Sequence, residues 1–145
     1  MIKRLGKFIL HLGIYVGIVV AVLFGLPRFL SWYLATPYPM AAITSGSMWP
    51  ALKQGDLVLI EGVKKEDLKV GDVVVWQNPQ GFTIHRVAEL NPDTVVTKGD
   101  ANFAKDAPVK YEEVVGRTVQ VFGRDVRLPY FGMISVYARD KKLPR

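Results

Sequence analysis

Residues 8 to 26 (FILHLGIYVGIVVAVLFGL) run for 19 positions without a charge and with one polar side chain, His11. Wound as a helix at about 1.5 Å per residue, this run spans about 28 Å, close to the hydrocarbon thickness of a bilayer. Lys3, Arg4 and Lys7 precede it, so the positive-inside bias predicts a transmembrane helix with a cytoplasmic N-terminus. Trp32 and Tyr33 fall just past its far end, where amphipathic rings favour the interface. A cleaved secretory leader is the rival reading, because small residues follow at Ala35 and Ala41-Ala42. The run is longer than the usual apolar region of about 7 to 15 residues, however. Cleavage near Ala42 would also leave the most distinctive turn of the chain at a new N-terminus. An uncleaved anchor is the better reading.

After Pro37 and Pro39 the pattern changes to short β-rich runs at 57–60, 73–76, 82–88, 94–97 and 114–122. Turn chemistry separates them: Lys53-Gln54-Gly55-Asp56, Asn78-Pro79-Gln80-Gly81 and Asn91-Pro92-Asp93. Regular spacing of this kind predicts a small, mostly β domain. Residues 66–70 are expected to form one helical turn. Residues 131–137 are too short to cross a bilayer and read as a core strand or an interfacial piece. The expected organisation is a cytoplasmic N-terminus and anchor over 1–34, a β-rich domain over 35–137 and a loose, charged tail over 138–145.

Composition narrows the function. The 145 residues include no cysteine, which excludes disulfides, thiolate zinc sites and cysteine-based catalysis. The net charge of +6 invites a nucleic-acid reading, but Lys3, Arg4, Lys7 and Arg28 flank the apolar run, and no acidic residue occurs before Asp56. From residue 29 onward, 15 basic residues face 13 acidic ones, which leaves no basic groove for nucleic acid.

The densest local signal is Thr44-Ser45-Gly46-Ser47-Met48-Trp49-Pro50-Ala51-Leu52. Gly46 permits a tight turn and Pro50 prevents regular structure, so Ser47 is presented on a constrained loop before the first long strand. Serine is a poor nucleophile until a positioned base takes its proton. Outside the apolar run the chain has one histidine, His85, and a neutral imidazole can accept a proton near neutral pH. A third group must orient that ring and stabilise its cation. Two carboxylates, Asp100 and Asp106, lie in the next Gly-bearing loop. Each feature alone is ordinary: most Ser-Gly-Ser turns are only turns, and a lone strand histidine is more often structural. Their combination carries the argument.

Together these segments resemble the signal peptidase I family, in the branch found in archaea, the endoplasmic reticulum and some Gram-positive bacteria. Residues 45–52 look like its nucleophile box, and Gly55-Asp56 and Gly71-Asp72 like its Gly-Asp strand starts. Ile84-His85-Arg86-Val87 is similar to the segment where this branch has His in place of the bacterial Lys. Lys98-Gly99-Asp100-Ala101-Asn102, with Asp106, resembles its acidic box, and residues 114–117 and 128–132 its closing segments. The resemblance implies Ser47 as nucleophile, His85 as base, Asp106 as its partner and Asp100 as support. It implies an oxyanion site at the Ser47 N–H and the Ser45 hydroxyl, with no metal or organic cofactor. Ala101 and Lys105 depart from the branch pattern, which leaves the choice between Asp106 and Asp100 open. The implied substrates are signal peptides of secreted preproteins, cut after small residues by a single-pass cell-membrane enzyme whose catalytic domain is external. Met48 and Trp49, with 37–40, would form an apolar rim for the substrate, although core packing suits Met48 equally.

Two alternatives belong to other classes. A Ser/Lys peptidase like the self-cleaving repressors needs a lysine with a lowered pKa, yet 81–90 holds none and Lys98 sits beside Asp100. A membrane-anchored, non-catalytic β module would have no use for this constellation.

Overall fold

The computed structural model describes residues 2–142. Helix α1 (Ile2–Val20), a π-helical turn (Ala21–Gly25) and α2 (Leu26–Tyr33) follow one another without a break. Pro27 accounts for the wider turn. Its ring lacks an N–H and would collide with the carbonyl four residues back, and π geometry opens that room. Residues Gly6–Tyr33 form 28 helical positions, and the most apolar 18-residue stretch among them has mean hydropathy 2.5 with none of it buried. Among the described residues this is the one helix long and apolar enough to cross a membrane. At about 42 Å it is longer than a hydrocarbon core of about 30 Å, so in a bilayer tilt or interfacial extension would take up the excess.

The remainder is mostly antiparallel sheet, as the spacing of the β-rich runs predicts. The strands are β1 (Met40–Ala42), β2 (Leu57–Glu61), β3 (Val73–Asn78), β4 (Gly81–Leu90), β5 (Thr94–Lys98), β6 (Val109–Lys110), β7 (Val114–Thr118), β8 (Gln120–Val121), β9 (Arg124–Asp125) and β10 (Arg127–Leu128). The main sheet runs β1-β2-β7-β3-β4-β5-β6, with β10 also paired to β2, while β8 and β9 form a separate hairpin. Val73, Val74 and Val75 are consecutive and all buried, because β3 is covered on both faces. Val73 joins a cluster with Ile43, Met48, Leu52 and Val58, and Val74 joins one with Leu68, Val87, Val95 and Val109. The first cluster lies under the Ser47 turn.

The two Gly-Asp strand starts are the same device used twice. Gly55 and Gly71 have φ of 90° and 99°, a region that favours glycine. Asp56 accepts the Lys53 N–H and Asp72 the Lys69 N–H, each at 3.0 Å. Each carboxylate also meets an arginine from the C-terminal third, Arg127 at 2.8 Å and Arg117 at 3.3 Å.

Three expectations change. The run expected over 114–122 is broken after Thr118, where the β8–β9 hairpin is inserted. The helical turn expected over 66–70 is a 3-10 turn at Lys65–Asp67. Residues 131–137 hold no strand: Met133–Lys142 is helix α3, which buries Val136 and leaves Ile134 and Tyr137 exposed. The helix therefore continues into the segment expected to be loose.

Candidate active site

Ser47 sits in a turn closed by the Trp49 N–H donating to the Gly46 carbonyl at 3.0 Å, with Leu52 N–H donating to Met48 at 2.9 Å. Met48 anchors that turn from below. It is 1% exposed and packs with Ile43, Leu52, Val58 and Val73. Burying a methionine side chain contributes about 1.5–3 kcal/mol, so the turn is held by its own core residue. Met48 also lines the floor of the neighbouring cleft, so it reaches any occupant from within the core. Trp49, by contrast, is exposed on the rim.

Strand β4 brings His85 to this turn. Its Nε2 lies 3.1 Å from Ser47 Oγ, and its Nδ1 lies 2.6 Å from Asp106 Oδ2. His85 is 8% exposed, and one edge of its ring faces the serine while the other faces the carboxylate. Asp106 is itself held: the Thr97 hydroxyl donates to Oδ2 at 2.6 Å, and the Asp106 N–H donates to the Thr97 carbonyl at 2.8 Å. Thr97 is fully buried on β5 opposite Val87. Sequence reasoning passed over it, although a hydroxyl in the run Val95-Val96-Thr97 is a polar group that must find a partner once buried. Ser45 Oγ lies 3.1 Å from Ser47 Oγ on the open side.

Asp100 does something different. It takes a two-pronged hydrogen bond from Arg86, Nε to Oδ1 at 2.8 Å and Nη2 to Oδ2 at 2.7 Å, while Arg86 Nη1 donates to the Gly71 carbonyl at 2.8 Å. The hydrogen bond to Asp100 raises the Arg86 pKa above its ordinary value, against the opposing effect of burial. Because neighbouring strand residues face opposite ways, Arg86 turns from the His85 face and takes Asp100 with it. Asp100 therefore pins the 99–106 loop to β4 and is not in contact with the imidazole. The loop also touches the nucleophile turn directly, through the Ala101 N–H donating to the Ser47 carbonyl at 2.8 Å. A side chain at Gly99 would put its first carbon 2.8 Å from that same carbonyl oxygen, which explains why the loop needs glycine there. Lys98 pairs with Arg86 in the sheet, on the face away from His85.

Beside the serine lies an open cleft of about 350 Å³. Ala42, Ile43 and Thr44 form one wall and Phe82, Thr83 and Ile84 the other, with Ser45, Ser47, His85 and Asn102 at one end. Residues 42–44 and 82–84 thus border the cleft, with Ile43 and Met48 among its lining and a hydroxyl–imidazole pair at its end. Among the described residues no cluster of three or more His, Cys, Asp or Glu could hold a metal ion.

The comparisons with known proteins place the chain among the peptidases. Residues 9–128 match the family described as signal peptidase, peptidase S26. The chain belongs to that family. It is 31% identical over 121 residues to the signal peptidase complex catalytic subunit SEC11 of Lachancea thermotolerans, covering 72% of this chain and 68% of the relative. A match of 29% over 137 residues to the subunit of the same name from Pyrenophora tritici-repentis covers 83% and 75%. The human catalytic subunit SEC11C is 31% identical over 118 residues, which is 70% of this chain and 58% of the human protein.

Proposed function

We propose that this chain is a single-pass membrane endopeptidase that removes signal peptides from secreted preproteins, cutting after a small residue, with Ser47, His85 and Asp106 as its catalytic group. The observation that carries this reading is His85, whose two ring nitrogens meet Ser47 at 3.1 Å and Asp106 at 2.6 Å. In the acylation step Ser47 Oγ attacks the scissile carbonyl carbon, and its proton passes to His85 Nε2. Asp106 holds the ring in the tautomer with hydrogen on Nδ1 and stabilises the imidazolium. The Ser47 N–H and Ser45 hydroxyl take the oxyanion, each such donor contributing about 2.7–4 kcal/mol to lowering the barrier. His85 then gives the proton to the departing amine as the C–N bond breaks. Water, activated by the same imidazole, hydrolyses the ester and frees the signal peptide. Ala42 and Ile84 line the cleft beside Ser47, which is where the side chain next to the cut would lie.

Residues 1–34 serve as cytoplasmic end and anchor, and the domain from 35 to 137 works on the outer face of the cell membrane. Lys3, Arg4 and Lys7 against Arg28 support that orientation. The relatives are named as catalytic subunits of a complex, so accessory subunits are a natural partner class here as well. The test is the chain reconstituted in right-side-out vesicles with a preprotein carrying alanine before the cut. Processing should proceed, fall at least a hundredfold when that alanine becomes phenylalanine, and cease when external protease digests the β domain. Equal cutting after phenylalanine, or a β domain protected from the protease, would contradict the reading.

The two aspartates separate in the same assay. Asp106→Asn is expected to lower kcat on the order of 10⁴-fold, since a neutral amide supports the wrong tautomer. Asp100→Asn keeps one oxygen for Arg86 and is expected to cost far less, with the loss appearing mainly in stability. A greater kcat loss at Asp100 would exchange the two roles.

A further inference from the structure

We propose that the joint between the end of the anchor and Gly62 fixes the height of Ser47 above the bilayer, and so selects which bond of a membrane-inserted substrate is cut. The proposal rests on the signal-peptide reading and adds a positioning device to it. Thirteen residues lie between Tyr33 and Ser47. A flexible tether of that length would wander by about 20 Å. Successive residues of an extended substrate are only about 3.4 Å apart, so a loose tether could not tell one bond from the next by distance.

This stretch is bonded along its length. Ala35 has φ of 50°, a left-handed residue that ends the helix, and the Thr36 N–H donates back to Ser31 at 3.2 Å. The Gly62 N–H, directly after β2, donates to the Leu34 carbonyl at 2.7 Å. A β-carbon at Gly62 would stand 2.2 Å from the Ala35 carbonyl oxygen, so no other residue allows β2 this close to the helix end. Thr36 is 3% exposed beneath this contact. The Ile60 N–H then donates to Pro39 at 2.9 Å, Met40 pairs with Leu59, and Ile43 exchanges bonds of 2.8 Å with Gly55 and Asp56. Tyr38 packs on Phe82 at the cleft wall, ring centres 4.8 Å apart. From helix end to cleft, the chain has no free hinge.

The test uses the full chain in lipid bilayers. Because the sequence has no cysteine, spin labels can be placed at Tyr33→Cys and Phe103→Cys, both exposed. Their distance distribution should be single and narrow, and should broaden in Gly62→Val. A second variant, with Gly-Ser-Gly inserted after Tyr33, leaves Gly62 and the β domain unaltered and should broaden it equally. For cleavage, a preprotein carries two equivalent sites three residues apart. The parent should prefer one by at least tenfold, and both variants should bring the preference within twofold. Cleavage of a short soluble peptide by the insertion variant should stay within twofold of the parent. A parent distribution that is already broad would overturn the proposal, as would a tenfold preference that survives the insertion. A parent that cuts neither preprotein site would instead overturn the signal-peptide reading, and the spin-label distances would still decide the joint.

Discussion

Ser47→Ala is expected to lower preprotein cleavage by about a million-fold, leaving only what binding and the oxyanion donors provide. The reasoning is geometric. Ser47 Oγ is the hydroxyl within 3.1 Å of the imidazole, and it opens on the cleft. Ser45 is 3.1 Å away on the open side but has no carboxylate-backed base of its own, so it cannot take over attack. The thermal midpoint should hardly move, because Ser47 is part-exposed and such substitutions alter stability by about 0.5 kcal/mol. Cleavage is followed by gel shift of the preprotein and folding by near-ultraviolet circular dichroism. Activity close to the parent's in a folded Ser47→Ala protein would remove this serine from the mechanism.

His85→Ala should fall by a similar factor, and the double variant Ser47→Ala/His85→Ala should be no worse than either alone. Groups that act as one unit are lost together, which separates a relay from two independent contributions. In the parent, kcat/KM should decline as pH drops, because a protonated imidazole cannot accept the serine proton. That limb should vanish from the residual rate of His85→Ala. His85→Lys should not restore activity, since an ammonium serves as a base only where burial strips it of its proton, and Asp106 at this site would favour the charged form. A lysine variant near parental activity, or losses that multiply in the double variant, would contradict the assignment.

The parts of this arrangement that were legible in the sequence are those where one residue type answers one physical need. The 8–26 run was readable as one long apolar helix, and β3 and β4 from their Val- and Ile-bearing runs bounded by Asn, Pro and Gly. The serine, the histidine and the acidic loop stood out because of their order in the chain. What was not legible depends on contacts across the fold. Met40-Ala41-Ala42 carries no strand signal of its own and becomes β1 because β2 offers it a partner. Residues 131–137 look like a core strand by composition, and they become the start of α3 after a turn at Tyr130, with φ of 68°. The resemblance favours Asp106 over Asp100, but the residues themselves do not separate the two, since only the alternation of β4 sends Arg86 and His85 to opposite faces. Thr97 was hidden among valines for the same reason.

Helix α3 has a meaning for how the Ser47 turn is held. The Gly132 N–H donates to the Gly55 carbonyl at 2.9 Å, and α3 packs on β1, the strand that leads to the Ser47 turn. The support under the Ser47 turn thus comes in part from a segment about 85 residues further along the chain. The turn is set only when strand and helix have met, so loosening α3 would disturb the serine without altering any residue that lines the cleft.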